Sequence, residues 1–311
     1  MGICENTIHD RQNHSGAQML SWRSFPWLCP WLLVLLFVPH LPGCALVREV
    51  ASSSYGHYAS WRPSDPQREK APYGIEAICV RATLNYLIPV DGGVVLVDAG
   101  YEESGERLKE AIGERPLLGI LLTHAHIDHR LAVHQFDVPV YVGAEDAPWL
   151  TGSDAKMAFW PRAGRLFLGR PPAPKMVQSV QDGDQIEIGG ALFHAIHLPG
   201  HTPGSTAWRF QDVLFTGDAV QAPYDDGVYP APDTVTADLK QAWHSMERLV
   251  HEPFSLAFDG HHGRIDHAKD KVMAVMKSGK QDGFPAVPTD TPRGCADSRV
   301  RPSETSKGNQ Q

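Results

Sequence analysis

The densest group of chemically reactive side chains is a His-x-His-x-Asp-His run at positions 124–129, which directly follows the apolar residues 117–122. Imidazole and carboxylate groups are the ligands that zinc and neighbouring divalent metals bind. His124 and His126 are two residues apart and point to the same side if the chain is extended there, whereas Asp128 and His129 turn toward a second position. The spacing therefore predicts two adjacent metal positions. A His-rich surface loop is the alternative, because the chain has 16 histidines.

Three more candidate ligands follow short apolar segments later in the chain. His201 lies in a Pro-Gly-His-Thr-Pro-Gly loop after the strand-like residues 191–198. Asp218 ends the apolar run 213–217, and His261 stands just past another apolar run. Because each candidate follows a predicted strand, we expect all of them at one edge of a sheet.

Four features occur in this order: the metal-binding run, the Pro-Gly-His-Thr loop, the Gly-Asp strand end and the final histidine. Together they resemble the metallo-β-lactamase superfamily over about residues 73–275. The resemblance implies a single α/β domain with a four-layer αββα sandwich. It also implies a ligand set for two ions, in which one metal takes His124, His126 and His201, the other takes Asp128, His129 and His261, and Asp218 bridges them. His262 is the alternative to His261, because each of the two adjoins a glycine.

The resemblance also implies the chemistry. Two cations about 3.5 to 4 Å apart hold a hydroxide at neutral pH and polarise a substrate carbonyl, so water is the expected nucleophile. Asp128 and Asp218 are then the catalytic carboxylates. A bridging aspartate at this strand end is typical of hydroxyacylglutathione hydrolases, lactonases and related esterases, and not of metallo-β-lactamases proper. The expected substrate is therefore a small ester, thioester or lactone, and the expected cofactor is a pair of zinc ions, with iron and manganese as alternatives.

Two other functions fit the same residues. One is a mononuclear iron dioxygenase of the same superfamily that acts on persulfides, because these ligand types do not by themselves select zinc over iron. The other is a non-catalytic metal-binding lipoprotein. Composition indicates which partners to expect. The chain has a net charge of −8 and no long basic run, which argues against binding to nucleic acid. We therefore expect a small-molecule substrate.

The N-terminal residues predict export. Arg23 precedes the apolar residues 27–38, which is the order of a secretory signal. The signal ends in Leu-Pro-Gly-Cys, which resembles the bacterial lipoprotein cleavage box with Cys44 as the lipidated residue; an uncleaved anchor or plain secretion is the alternative. We therefore expect a membrane-anchored lipoprotein on the periplasmic side, with four segments: a signal peptide at 1–44, a linker at 45–72, the metallo-β-lactamase-fold domain at 73–278 and a disordered tail at 279–311.

Periodicity and turn residues predict the remaining elements. One strand ends at Asp98, where the family has an aspartate; the resemblance suggests that this carboxylate supports the metal site, and a capping role is the alternative. Hydrophobic patterns predict strands over 75–80, 83–89, 94–98, 138–142 and 185–188, and helices over 103–113, 131–136, 238–250 and 268–277.

Overall fold

The computed structural model describes residues 71–81, 83–153, 171–223, 227–279 and 281. The predicted signal peptide, the lipidated Cys44, most of the linker and nearly all of the tail lie outside these residues and stay predictions. No helix within the described ranges is long and apolar enough to cross a bilayer.

The first sheet has six strands in the order in which they follow one another along the chain. They are β1 (Glu76–Val80), β2 (Thr83–Val90), β3 (Gly93–Val97), β4 (Leu117–Leu121), β5 (Val140–Gly143) and β6 (Val177–Val180). β1, β2 and β3 pair antiparallel, whereas β3, β4, β5 and β6 pair parallel. The sheet is therefore mixed.

The second sheet also has six strands, again neighbours in chain order. They are β7 (Gln185–Ile188), β8 (Ala191–His197), β9 (Thr206–Phe210), β10 (Val213–Gly217), β11 (Leu256–Asp259) and β12 (Arg264–Ile265). All neighbouring pairs are antiparallel except β10 and β11, which are parallel. β10 and β11 therefore deliver the residues that follow them to the same edge of the sheet.

Five α-helices lie within the described ranges: α1 (Glu106–Ile112), α2 (Ile127–Arg130), α3 (Ala147–Leu150), α4 (Leu239–Glu247) and α5 (Ala268–Ser278). Short 3-10 helices span Pro72–Gly74, Val133–Gln135 and Arg248–His251. The carboxylate of Asp238 caps α4 by accepting the amide of Gln241 at 2.9 Å.

Side chains alternate between the two faces of each sheet and form three apolar layers. The layer between the sheets contains the large residues Tyr86, Trp208, Phe215 and Phe258. Outside the first sheet, Leu87, Leu96 and Ile120 pack with Leu108 of α1. Outside the second sheet, Leu214 and Ala207 pack with Trp243 and Met246 of α4 and Val272 of α5. This arrangement confirms the predicted α/β sandwich of the metallo-β-lactamase type.

The helix predicted over 131–136 is only a single 3-10 turn at Val133–Gln135, and the difference bears on the metal-binding run. α2 starts at Ile127 and ends at Arg130, so that Asp128 and His129 lie on its single turn. The amides of Leu131 and Ala132 donate to the carbonyls of Gly100 and Ala99 at 3.1 and 3.3 Å, instead of continuing the helical pattern. Contacts with the loop after β3 therefore end the helix, and a local pattern does not reveal them.

Candidate metal centre

The structure brings all seven predicted ligand residues together at one edge of the two sheets. They form three groups in which the potential ligand atoms lie within 4.8 Å of one another: His124, His126 and His201; Asp128, His129 and His261; and His124, His129 and Asp218. Every one of the seven side chains is buried. His262 belongs to none of the groups found among the described residues.

Asp218 lies between the two halves of the centre. Its Oδ2 atom is 3.4 Å from Nε2 of His201, whereas its Oδ1 atom is 3.1 Å from Nε2 of His261 and 3.4 Å from Nε2 of His129. One oxygen therefore faces the three-histidine group and the other faces the group that contains Asp128. Asp218 holds this position because β10 ends at Gly217, whose φ of +52° turns the chain and whose missing Cβ avoids a clash with the Thr123 side chain.

Hydrogen bonds to the Nδ1 atoms orient His201 and His124. Thr236 donates its hydroxyl proton to the carbonyl of Ala231 at 2.9 Å, so it accepts from Nδ1 of His201 at 3.2 Å. In the same way, Thr123 donates to Asp98 and accepts from Nδ1 of His124 at 3.2 Å. Both rings therefore carry their proton on Nδ1 and direct the lone pair of Nε2 into the centre.

These two Nε2 atoms lie only 3.1 Å apart. Burial, with a smaller contribution from the neighbouring His126, lowers the pKa of His201 to about 3. Burial also holds the pKa of His124 well below its usual range. Both imidazoles are thus neutral, and two facing lone pairs at this distance repel each other unless a cation lies against both. The three-histidine group therefore fits a divalent metal ion of the kind that binds imidazole.

The second group carries carboxylates as well as imidazoles. His129 donates from Nδ1 to Oδ2 of Asp98 at 2.8 Å, which directs its Nε2 atom toward Asp218 and His261. Burial opposes protonation of both rings. Asp128 and Asp218 nevertheless hold the pKa of His129 well above its usual range, and Asp218 raises the pKa of His261 to about 9. The carboxylates therefore favour positive charge here, which a divalent cation also supplies.

The loop that carries His261 is shaped by Asp259, the last residue of β11. Its Oδ1 atom accepts the backbone amides of His261 at 2.8 Å, Gly263 at 3.0 Å and also His262. The intervening Gly260 is required by packing, because a Cβ atom there would lie 2.5 Å from Cε1 of His129. This turn directs His261 into the centre.

Three residues that hydrogen-bond to the candidate ligands or to the loops that carry them were not predicted from the sequence: Asp146, Thr236 and Asp259. Asp146 follows the end of β5, as His201 follows β8 and Asp218 follows β10. Its position after a strand could therefore have marked it as a candidate site residue. Asp259 directly precedes Gly-His-His and could also have been found. Thr236 lies 35 residues from its partner His201, and nothing in the local sequence marks it.

Comparison with known proteins places these features in a family. The family model described as "Metallo-beta-lactamase superfamily" matches residues 80–261. A probable metallo-hydrolase of Bacillus subtilis is 30% identical over 43% of this chain and 64% of its own length. A human acyl-coenzyme A thioesterase is 34% identical over 36% of this chain and 44% of its own length. The chain thus spans about half to two thirds of the length of the curated relatives that it matches.

Solved structures share the fold. The metallo-beta-lactamase from Pontibacter korlensis superposes with a TM-score of 0.54 at 19% identity, covering 67% of this chain and 95% of that one. At this identity the similarity establishes the fold alone.

Proposed function

Because the chain belongs to the metallo-beta-lactamase superfamily, we propose that it is a hydrolase that uses two divalent cations, zinc in the first instance, to cleave a small ester, thioester or lactone. The observation that carries the proposal is the position of Asp218, each of whose oxygens faces a different ligand group. A carboxylate in this position supports two cations side by side, as in other two-metal hydrolytic sites.

The residues of the chain divide the work of holding the ions. His124, His126 and His201 offer nitrogen ligands, whereas Asp128 and Asp218 add negative charge that offsets the charge of the cations. When bound, the pair of cations lowers the pKa of water to near neutrality and polarises the substrate carbonyl. Burial of all the ligands keeps bulk water away from them and strengthens their electrostatic interactions.

The relatives support hydrolysis as the reaction class. The Bacillus subtilis relative is named as a probable metallo-hydrolase and the human relative as an acyl-coenzyme A thioesterase. Both names describe the addition of water to a bond, and a thioester is one of the three substrate classes that we propose. Because imidazole and carboxylate also bind iron and manganese, the metal has to be measured.

The test combines a metal count with activity. The full chain is purified without added metal, its metal content is determined by mass spectrometry, and it is assayed on a panel of small esters, thioesters and lactones. We expect two ions per chain and turnover of at least one class. Asp128→Ala and Asp218→Ala should each lower turnover at least about 100-fold while the circular dichroism spectrum stays that of the wild type.

The control is Asp137→Ala, which removes an aspartate on the surface whose side chain is 68% exposed. Its metal content and turnover should equal those of the wild type. Unchanged turnover in both site variants rejects the two-metal mechanism. A single iron per chain together with oxygen consumption on a persulfide identifies the dioxygenase instead, and full metal content without activity on any substrate identifies the non-catalytic protein.

The location of the activity rests on the sequence alone. We propose that the segment 1–44 directs export and that Cys44 is lipidated, which would anchor the enzyme on the periplasmic side of a membrane. Metabolic labelling with a fatty acid tests this proposal. Label that is retained after Cys44→Ser overturns the lipid attachment.

A further inference from the structure

The two loops that carry the three-histidine group are held together by one buried carboxylate that is not a ligand. We propose that Asp146 is the positioning residue of the three-histidine metal position. This inference rests on the metal-binding part of the proposed function and is independent of the substrate.

Asp146 hydrogen-bonds to both loops at once. Its Oδ2 atom accepts the amide of Ala125 at 2.9 Å and the hydroxyl of Thr202 at 2.7 Å, and its Oδ1 atom accepts the amide of Gly204 at 2.7 Å. Its own amide donates to the carbonyl of Gly143 at 2.9 Å, which ties it to the end of β5. The side chain is fully buried.

The groups that Asp146 binds adjoin all three ligands of this position. Ala125 stands between His124 and His126, and Thr202 directly follows His201. The first loop follows β4 of one sheet, whereas the second follows β8 of the other. The carboxylate thus sets the separation between ligands that come from different sheets, without contributing a ligand itself.

Two glycines let the backbone pack closely around Asp146. A Cβ atom on Gly204 would lie 2.5 Å from the backbone nitrogen of Asp146 and 2.7 Å from its Cγ atom, and a Cβ atom on Gly143 would lie 2.0 Å from the carbonyl oxygen of Gly204. Glycines at both positions therefore allow this close approach. Three donors must be satisfied by the two oxygens of one side chain.

A carboxylate meets this demand, whereas an amide does not. Asparagine has a single acceptor oxygen, so its NH2 group would face one of the three donors. Burial raises the pKa of Asp146 to about 6 against the opposing effects of Thr202, Ala125 and Gly204, so the side chain is ionised at neutral pH. Asp146→Asn is therefore a substitution of nearly equal size that removes at least one of the hydrogen bonds.

The second metal position has a supporting carboxylate of its own, Asp259, which shapes the turn that carries His261. Asp98 serves both positions, because it orients His129 and also accepts from the Thr123 hydroxyl that orients His124. Among the residues that the structure describes, the side chain of Asp146 hydrogen-bonds to Ala125, Thr202 and Gly204, and not to that turn or to the side chain of His129. Loss of Asp146 should therefore weaken one position selectively, which a general loss of stability would not do.

The experiment titrates the metal-free full chain with Zn2+ against a competing chelator and resolves two affinities. His201→Ala and His261→Ala, each of which removes a ligand of one group, assign the two steps to their positions. We expect Asp146→Asn to lower the affinity of the three-histidine position about 10-fold to 100-fold and to leave the other position within about twofold. Asp259→Asn is the matched control and should show the reverse preference.

Thr202→Val keeps the shape of the side chain but removes the hydroxyl that donates to Asp146. It should lower the metal affinity of the three-histidine position by a smaller factor. If Asp146→Asn does not fold, as judged by circular dichroism, Thr202→Val tests the inference in its place. Equal losses at both positions, or no loss in a folded variant, overturn the inference.

The outcome also separates this inference from the proposed function. A wild-type chain that binds no ion at the three-histidine position overturns both. Two ions in the wild type with a selective loss in Asp146→Asn, but without hydrolysis of any substrate, support the inference and reject the hydrolase.

Discussion

His129 donates from Nδ1 to Oδ2 of Asp98 across 2.8 Å, and both side chains are buried. Asp98 stands at φ +59°, a left-handed conformation that aspartate and asparagine tolerate better than most residues. Asp98→Asn therefore keeps the backbone but loses the charge that fixes the ring of His129. We expect the metal affinity to fall about 10-fold to 100-fold, as measured by chelator competition. An unchanged affinity would mean that Asp98 serves the backbone only.

Gly260→Ala should disrupt the second group by a clash. The new Cβ atom would lie 2.5 Å from Cε1 of His129 and 3.0 Å from Oδ1 of Asp218. We expect one ion fewer per chain and a free energy of unfolding lower by about 1 to 3 kcal/mol, because overpacking forces these buried side chains to shift. The control is Gly279→Ala, where nothing lies within 4 Å and only the backbone is strained. Its metal content should stay that of the wild type.

The adjacent histidines 261 and 262 should behave differently when each is replaced by alanine. His261 belongs to a ligand group with Asp128 and His129, whereas His262 belongs to none among the described residues. His261→Ala is expected to lose one ion per chain, and His262→Ala is expected to keep both. Metal counts on the two purified variants check this, with His244→Ala, an exposed histidine on α4, as the control. Loss of an ion in His262→Ala alone would reverse the assignment.

The ion pair between Asp182 and Arg248 should give a pH-dependent contribution to stability. Burial opposes ionisation of Asp182, but Arg248 at 2.7 Å and the amide of His197 at 2.9 Å lower its pKa below the usual value. Because the folded chain then binds fewer protons than the unfolded chain, this stability is present above about pH 4 and is lost as the pH falls through the folded pKa.

Asp182→Asn should therefore lower the free energy of unfolding by about 0.5 kcal/mol at pH 7, a small effect because the pair is partly exposed to solvent. The difference from the wild type should shrink at pH 3. Urea unfolding at both pH values measures it. Asp137→Asn, which removes a far more exposed ion pair with Lys175, should change little at either pH. A constant difference across this range would contradict the ion-pair explanation.

Several elements could be predicted from the sequence because their patterns are local. The strands predicted over 83–89 and 185–188 and the helices predicted over 238–250 and 268–277 correspond to β2, β7, α4 and α5 within a few residues. β9, in contrast, was not predicted. Four of its residues 206–210 are buried and Arg209 is partly buried, so no alternation of polar and apolar residues marks the strand.

The sequence by itself determined which side chains were candidates for the metal centre and in which order they occur, because imidazoles and carboxylates at the ends of apolar strands carry their chemistry in their type and position. Only the tertiary structure decided that His261 and not His262 joins the candidate ligand groups, and that Asp146, Thr236 and Asp259 hydrogen-bond to these residues or to the loops that carry them. Most of these contacts join residues that are far apart in the chain. Whether they form depends on how the two sheets pack, and spacing along the sequence does not carry that information.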